Sequence, residues 1–65
     1  MKEIVLRVDA TFGLNVKVGD EVPTGHRLGV SAKTAKVLCS PASGVVREIA
    51  FDPDRHEFRI VIDPA

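Results

Sequence analysis

The side chains of this sequence that could do chemistry are few and scattered. Lys33 stands in a short polar stretch, Cys39 is the single cysteine, and the histidines are His26 and His56. A lysine amine can form covalent links, a thiolate can act as a nucleophile, and imidazoles can bind a metal or move protons. Each of these chemistries also needs suitable neighbours, which the surrounding sequence must supply.

Cys39 is the natural candidate for a nucleophile. Nucleophilic catalysis requires a base beside the nucleophile and a third group that orients the base. Cys39 alternates with Ala35 and Val37, so we expect Val37 and Cys39 to point into the core as apolar residues. Reactive thiols need electropositive, partly exposed surroundings. We therefore predict no catalytic residues and no enzyme activity.

The histidines and two of the aspartates lie in sequences typical of solvated turns. His26 follows a glycine, His56 lies between two charged residues, and Asp52 and Asp54 bracket a proline. Asp-Pro-Asp is typical of a hairpin turn, whereas a calcium loop of the EF-hand type needs a longer ligand series with a closing glutamate. We predict no metal ligands. A small metal or ligand site that uses both histidines and nearby carboxylates remains one hypothesis.

Length and charge restrict the class of protein. The 65 residues suffice for one domain, 1–65, and 45% of them are hydrophobic, a normal share for a packed domain. Nine basic residues balance nine acidic ones, so we expect no attraction to nucleic acid. No apolar run approaches the roughly 20 residues of a membrane span, and no signal peptide opens the chain. We expect no membrane insertion and a cytoplasmic location.

The pattern of apolar residues predicts strands and no helix. The alternating runs cover residues 4–8, 16–18, 28–30, 35–39, 45–51 and 58–62. Between them lie Gly-Asp, Pro-Thr-Gly, Ser-Pro-Ala-Ser-Gly and Asp-Pro-Asp, which are turn sequences. About six short strands separated by such turns are typical of a small all-β sandwich or barrel.

Five residues are expected to shape the turns. They are Gly19, Asp20, Gly25, Pro41 and Gly44. Glycine allows positive φ or a close approach of backbones, and proline lacks the N–H that a central strand needs. At Gly44, the last residue of Pro-Ala-Ser-Gly, we expect positive φ.

Two segments resemble the fingerprints of lipoyl and biotinyl domains. The first, Val18 to Gly25, contains Gly-Asp-Glu-Val, and the second, Ser40 to Val46, contains Pro-Ala-Ser-Gly-Val-Val. They occur in the order that the family has. The resemblance implies an all-β barrel-sandwich hybrid fold, here as a single small domain.

In carriers of this family, a lysine at the tip of the hairpin between the two fingerprints bears lipoate or biotin. Lys33, eight residues before Pro41, resembles that lysine in position. Its flanks, Val-Ser-Ala and Thr-Ala, match neither the Glu-Thr-Asp-Lys-Ala of lipoyl carriers nor the Ala-Met-Lys-Met of biotin carriers. The attaching enzymes recognise these flanks, so we expect an unmodified Lys33 and no cofactor. A carrier with lipoate or biotin on Lys33 is the alternative.

The second half of the chain is shorter than in full carriers, which repeat the Gly-Asp turn there. Residues 60–64 instead read Ile-Val-Ile-Asp-Pro. With this ending the chain is similar to the lipoyl-like subdomain of RnfC, a component of the Rnf electron-transport complex. A similar module occurs in the sodium-translocating NADH:quinone oxidoreductase. The resemblance implies a noncatalytic structural or docking module that binds a protein partner or its own copies.

Overall fold

The computed structural model describes residues 3–65, which form an all-β structure. The strands are β1 (Ile4–Asp9), β2 (Glu21–Val22), β3 (Arg27–Val30), β4 (Val37–Cys39), β5 (Gly44–Asp52) and β6 (Glu57–Pro64). A 3₁₀ turn over Ala10–Phe12 follows β1 and is the only helical turn among residues 3–65. The predicted all-β class is confirmed.

Strand β6 lies inside the larger sheet, whose order is β1-β6-β5-β2 with all neighbours antiparallel. Strand β1 pairs along its whole length with β6, from Ile4 opposite Ile62 to Asp9 opposite Glu57. Strands β3 and β4 form a separate two-stranded antiparallel hairpin. The first and last strands are therefore neighbours, and β1 and β2 are the edges of the larger sheet.

The core lies between the larger sheet and the hairpin. Val8, Ile60 and Ile62 are fully buried, as their alternation predicted, whereas Val5 on the opposite face of β1 is 50% exposed. Leu28 of the hairpin is also fully buried and belongs to the same cluster. Burial of such a side chain contributes about 1.5–3 kcal/mol. These few side chains therefore supply much of the stability of so short a chain.

A β-bulge in β5 changes which residues face the core. Val46 lies opposite Ile62, but Glu48 lies opposite Val61, so Arg47 is an extra residue in the strand. A bulge bends its strand and increases the local twist. As a result the sheet curves around the core, and Val46 and then Ile49 both pack against it.

The Gly-Asp turn is attached to β5. The N–H of Gly19 donates to the carbonyl of Val46 at 2.8 Å, and the N–H of Val46 donates to the carbonyl of Asp20 at 2.9 Å. The strand predicted over 16–18 does not form. The carboxylate of Asp20 accepts the N–H of Lys17 at 3.0 Å, and the Asp20 N–H returns to the Lys17 carbonyl. Local Asx-type bonding therefore replaces a ladder there.

The Pro-Thr-Gly turn is attached to the other fingerprint. The N–H of Gly25 donates to the Ser40 carbonyl, and the Ser40 N–H donates to the His26 carbonyl, each at 2.8 Å. Ser40 is buried, and its hydroxyl donates to the Ala42 carbonyl at 2.5 Å. Pro41 lies exposed in the bend between β4 and β5. The two fingerprint segments are thus hydrogen-bonded neighbours.

The predicted orientation of β4 is wrong. Val37 is 53% exposed and Cys39 is exposed, whereas Leu38 packs against the core. All three residues are apolar, so alternation alone does not select the inward set, and the largest side chain takes the buried position. Leu38 lies opposite Gly29, just after an irregularity in β3.

The prediction of positive φ at Gly44 is also wrong, since positive φ occurs at Gly13, Gly19 and Gly25. Gly44 is buried in β5 opposite Pro64. A Cβ at Gly44 would lie 2.2 Å from the carbonyl oxygen of Asp63. Close approach of β6, rather than a left-handed turn, requires glycine here.

We expect Gly44→Ala to lower the free energy of unfolding by about 1–3 kcal/mol, because β6 must move away to admit the methyl group. Urea denaturation measures the change. Gly25→Asn is the control, because Gly25 has open space around its Cα and asparagine tolerates its φ of 86°. A stability of Gly44→Ala equal to that of the parent would contradict the close approach.

The corrected orientation of β4 gives a second expectation. Val37→Asp should lower the free energy of unfolding by less than about 1 kcal/mol, since the carboxylate stays in water. Leu28→Ala should lower it by about 2–5 kcal/mol through cavity formation. Thermal unfolding followed by circular dichroism compares the two. Unfolding caused by Val37→Asp with a tolerated Leu28→Ala would mean that Val37 points into the core, as the alternation predicted.

Candidate functional site

Lys33 lies exposed in the loop that joins β3 to β4, at the tip of the hairpin. The hydroxyl of Ser31 accepts the N–H groups of Lys33 and Thr34 at 3.3 and 3.4 Å. The backbone closes the loop through the Ser31 N–H, which donates to the Lys36 carbonyl at 2.7 Å. The loop therefore has a defined shape, from which the lysine side chain projects into solvent.

Asp52 forms the turn between β5 and β6. Its carboxylate accepts the N–H groups of Asp54 and Arg55 at 3.0 and 3.3 Å. His56 completes the turn at a φ of 56°, and its ring meets the Phe51 ring edge-on at a centroid distance of 5.9 Å. The Asp-Pro-Asp sequence thus acts as the turn that its residue types predicted.

The two histidines occupy different turns with different partners. His26 is bonded through its backbone to Pro23 and Ser40, whereas the His56 carbonyl accepts the N–H of Ala10 at 2.9 Å. Within residues 3–65 no group of three His, Cys, Asp or Glu side chains is arranged to hold a metal ion. The hypothesis of a metal or ligand site at the histidines stays a prediction without geometric support.

Asp9 is the carboxylate nearest in character to that hypothesis, because it senses His56. Its side chain caps the 3₁₀ turn by accepting the Thr11 N–H at 2.9 Å. This backbone hydrogen bond, assisted by the Thr11 side chain and by the charge of His56, lowers the pKa of Asp9 from its ordinary value of 3.8. The arrangement stabilises a turn and uses the carboxylate fully.

The largest depression outside these turns is a groove between β1 and the hairpin tip. It is a cavity of about 500 Å³. Its walls are Val5, Leu6 and Arg7 of β1, Ser31, Ala32, Lys33 and Leu38 of the hairpin, and Arg55 and Glu57 at the start of β6. We call this feature the β1 groove.

Charges around the β1 groove are mostly positive. Arg7 lies 3.7 Å from the Oε1 atom of Glu57, measured from its Nη1 atom. Lys33 and Arg55 line the same groove. No motif in the sequence marks this grouping, because the charged residues come from three separate segments. Only the pairing of β1 with β6 and the fold of the hairpin bring them together.

Comparison with protein-family models, with curated proteins and with solved structures finds no match to this chain. Among residues 3–65 no helix is long and apolar enough to cross a membrane.

We expect Asp9→Asn to lower the stability of the fold at neutral pH. The folded pKa lies below the unfolded one, so the ionised carboxylate stabilises the fold above the ordinary pKa, and this contribution is lost as the pH falls through the lowered value. The difference in urea midpoint between parent and variant should therefore shrink below pH 3.8. Asp54→Asn, at an exposed residue, is the control. A difference that does not change with pH would refute this role of the cap.

Proposed function

We propose that this chain is a noncatalytic docking module with a barrel-sandwich hybrid fold of the lipoyl/biotinyl type, and that its Lys33 is unmodified. One observation carries the docking proposal. Strand β1 is an edge of the larger sheet, and the β1 groove with its exposed Val5 runs beside that edge. An unpaired edge offers backbone donors and acceptors to a strand from another chain.

Three features support the proposed fold type. The two fingerprint segments are joined by backbone hydrogen bonds, at Gly19 to Val46 and at Gly25 to Ser40. A hairpin with Lys33 at its tip connects them. The first and last strands are paired. The smaller sheet has only two strands, which fits the shortened second half of the sequence.

The proposed setting is an electron-transport assembly of the Rnf kind. Its support is the sequence resemblance, since the chain shares the Gly-Asp start, the Pro-Ala-Ser-Gly turn and the Ile-Val-Ile-Asp-Pro ending with such modules. In that setting the domain would hold neighbouring proteins together and would itself transfer no electrons.

A carrier function is the second candidate, because Lys33 is exposed at a hairpin tip, where a swinging arm would need to be. Its flanking residues argue against it. Thr34 and Ser31 stand where the carrier motifs have other residues, and the attaching enzymes read those flanks.

Two measurements on protein from its native cells separate these functions. We expect an intact mass equal to that of the bare chain, and capture of a protein partner in a pull-down or a mass above the monomer in light scattering. A mass increase that Lys33→Arg abolishes would establish the carrier. An unmodified strict monomer that captures no partner would contradict the docking function.

A further inference from the structure

Building on the docking function proposed above, we infer that the β1 groove binds an extended acidic segment of a partner protein, which adds to the larger sheet as a strand beside β1. Such augmentation takes its affinity from backbone hydrogen bonds and its specificity from alternate side chains. The backbone, the charges and the apolar lining of the groove each point to this occupant.

The backbone of β1 has hydrogen-bonding groups on its outer side. The N–H of Ala10 donates to the His56 carbonyl at 2.9 Å, and these two residues continue the β1–β6 register. In an antiparallel ladder, every second residue exchanges bonds with the partner strand. The even-numbered residues of β1 thus bond to β6, and Val5 and Arg7 turn their N–H and carbonyl groups outward.

The hairpin approaches this edge only at its far end, where Ser31 lies opposite Val8. Toward the start of β1 the hairpin tip diverges and leaves the groove open between them. An incoming strand would therefore meet the outward groups of Val5 first, with the Ser31–Lys33 loop forming the opposite wall.

The charges of the groove select an acidic segment. Arg7, Lys33 and Arg55 line it against one carboxylate, that of Glu57, so three positive charges minus one negative leave an excess of two. The whole chain carries no net charge, so this excess is a local property of the groove. Like charges gathered on a surface are compensated by a partner of the opposite sign.

Glu57 gives a further reason for a peptide partner. Its Oε1 atom is shielded from solvent and accepts no hydrogen bond in the described structure, and Arg7 is 3.7 Å away. A buried acceptor without a donor costs free energy. The incoming segment brings backbone N–H groups that can supply one.

The apolar lining completes the pattern. Leu6 and Leu38 line the groove together with Val5 and Ala32. Because successive side chains of a strand point to opposite faces, a segment in which acidic and aliphatic residues alternate can present acids to the cationic side chains and aliphatic groups to the apolar ones.

The test is a titration of the ¹⁵N-labelled protein, followed by NMR, with a capped hexapeptide of alternating valine and glutamate. The same peptide with lysine for glutamate is the reference. We expect binding of the glutamate peptide only, with shifts at Val5–Arg7 and Ser31–Lys33. The double variant Lys33→Gln, Arg55→Gln should bind about tenfold more weakly. Lys17→Gln, Arg27→Gln is the control, because it removes the same charge outside the groove.

Val5→Pro tests the backbone contribution separately. Proline removes an N–H that faces outward, so it should leave the β1–β6 ladder intact and abolish peptide binding. If Val5→Pro does not fold, the charge variants still decide the question. Equal binding of both peptides, no binding, or shifts elsewhere would overturn the proposal.

Failure of this inference is distinguishable from failure of the docking function. Partner capture by the parent and by Val5→Pro alike would leave docking standing and refute this site. Dimerisation through β1, which would set Glu3 opposite Arg7 of a second copy, would double the mass in light scattering. It would also overturn the acidic-peptide proposal. A strict monomer that captures nothing would refute both.

Discussion

The structure depends on how closely β6 passes β5. Gly44 leaves no room for a side chain against the Asp63 carbonyl, and this contact sets the register that places Val46 opposite Ile62. With β6 fixed, Ile60 and Ile62 fill the centre of the core. The first strand then pairs along the other side of β6. A short chain without a disulfide has few other means of holding its two ends together.

The same arrangement determines what the surface offers. On the outer face, Arg59 pairs with Glu48 at 2.8 Å, and Arg47 pairs with Glu3 and Asp63. Exposed pairs of this kind contribute little to stability, but they neutralise one another. Arg7 lies opposite Arg59 across the ladder, and like charges in that position are unfavourable. The positive charge therefore stays concentrated at the β1 edge, beside the groove.

Much of the fold could be predicted from sequence, because the large apolar residues of β1 and β6 alternate with charged ones. In β4, where Val37, Leu38 and Cys39 are all apolar, the pattern could not say which residue is buried. Over 16–18 the Asx bond of Asp20 overrode alternation. Lys33 could be placed at a hairpin tip, but the β1 groove could not be predicted, because Arg7, Lys33 and Arg55 meet only through long-range strand pairing.

The docking function depends most directly on β1 being an open edge with alternating backbone bonds. Native-state amide hydrogen exchange resolves this residue by residue. We expect the amides of Leu6 and Val8, which bond to β6, to exchange slowly, and those of Val5 and Arg7, which face outward, to exchange fast. Equal protection of the four amides would mean that the outer side of β1 is already paired, and would contradict an edge available for docking.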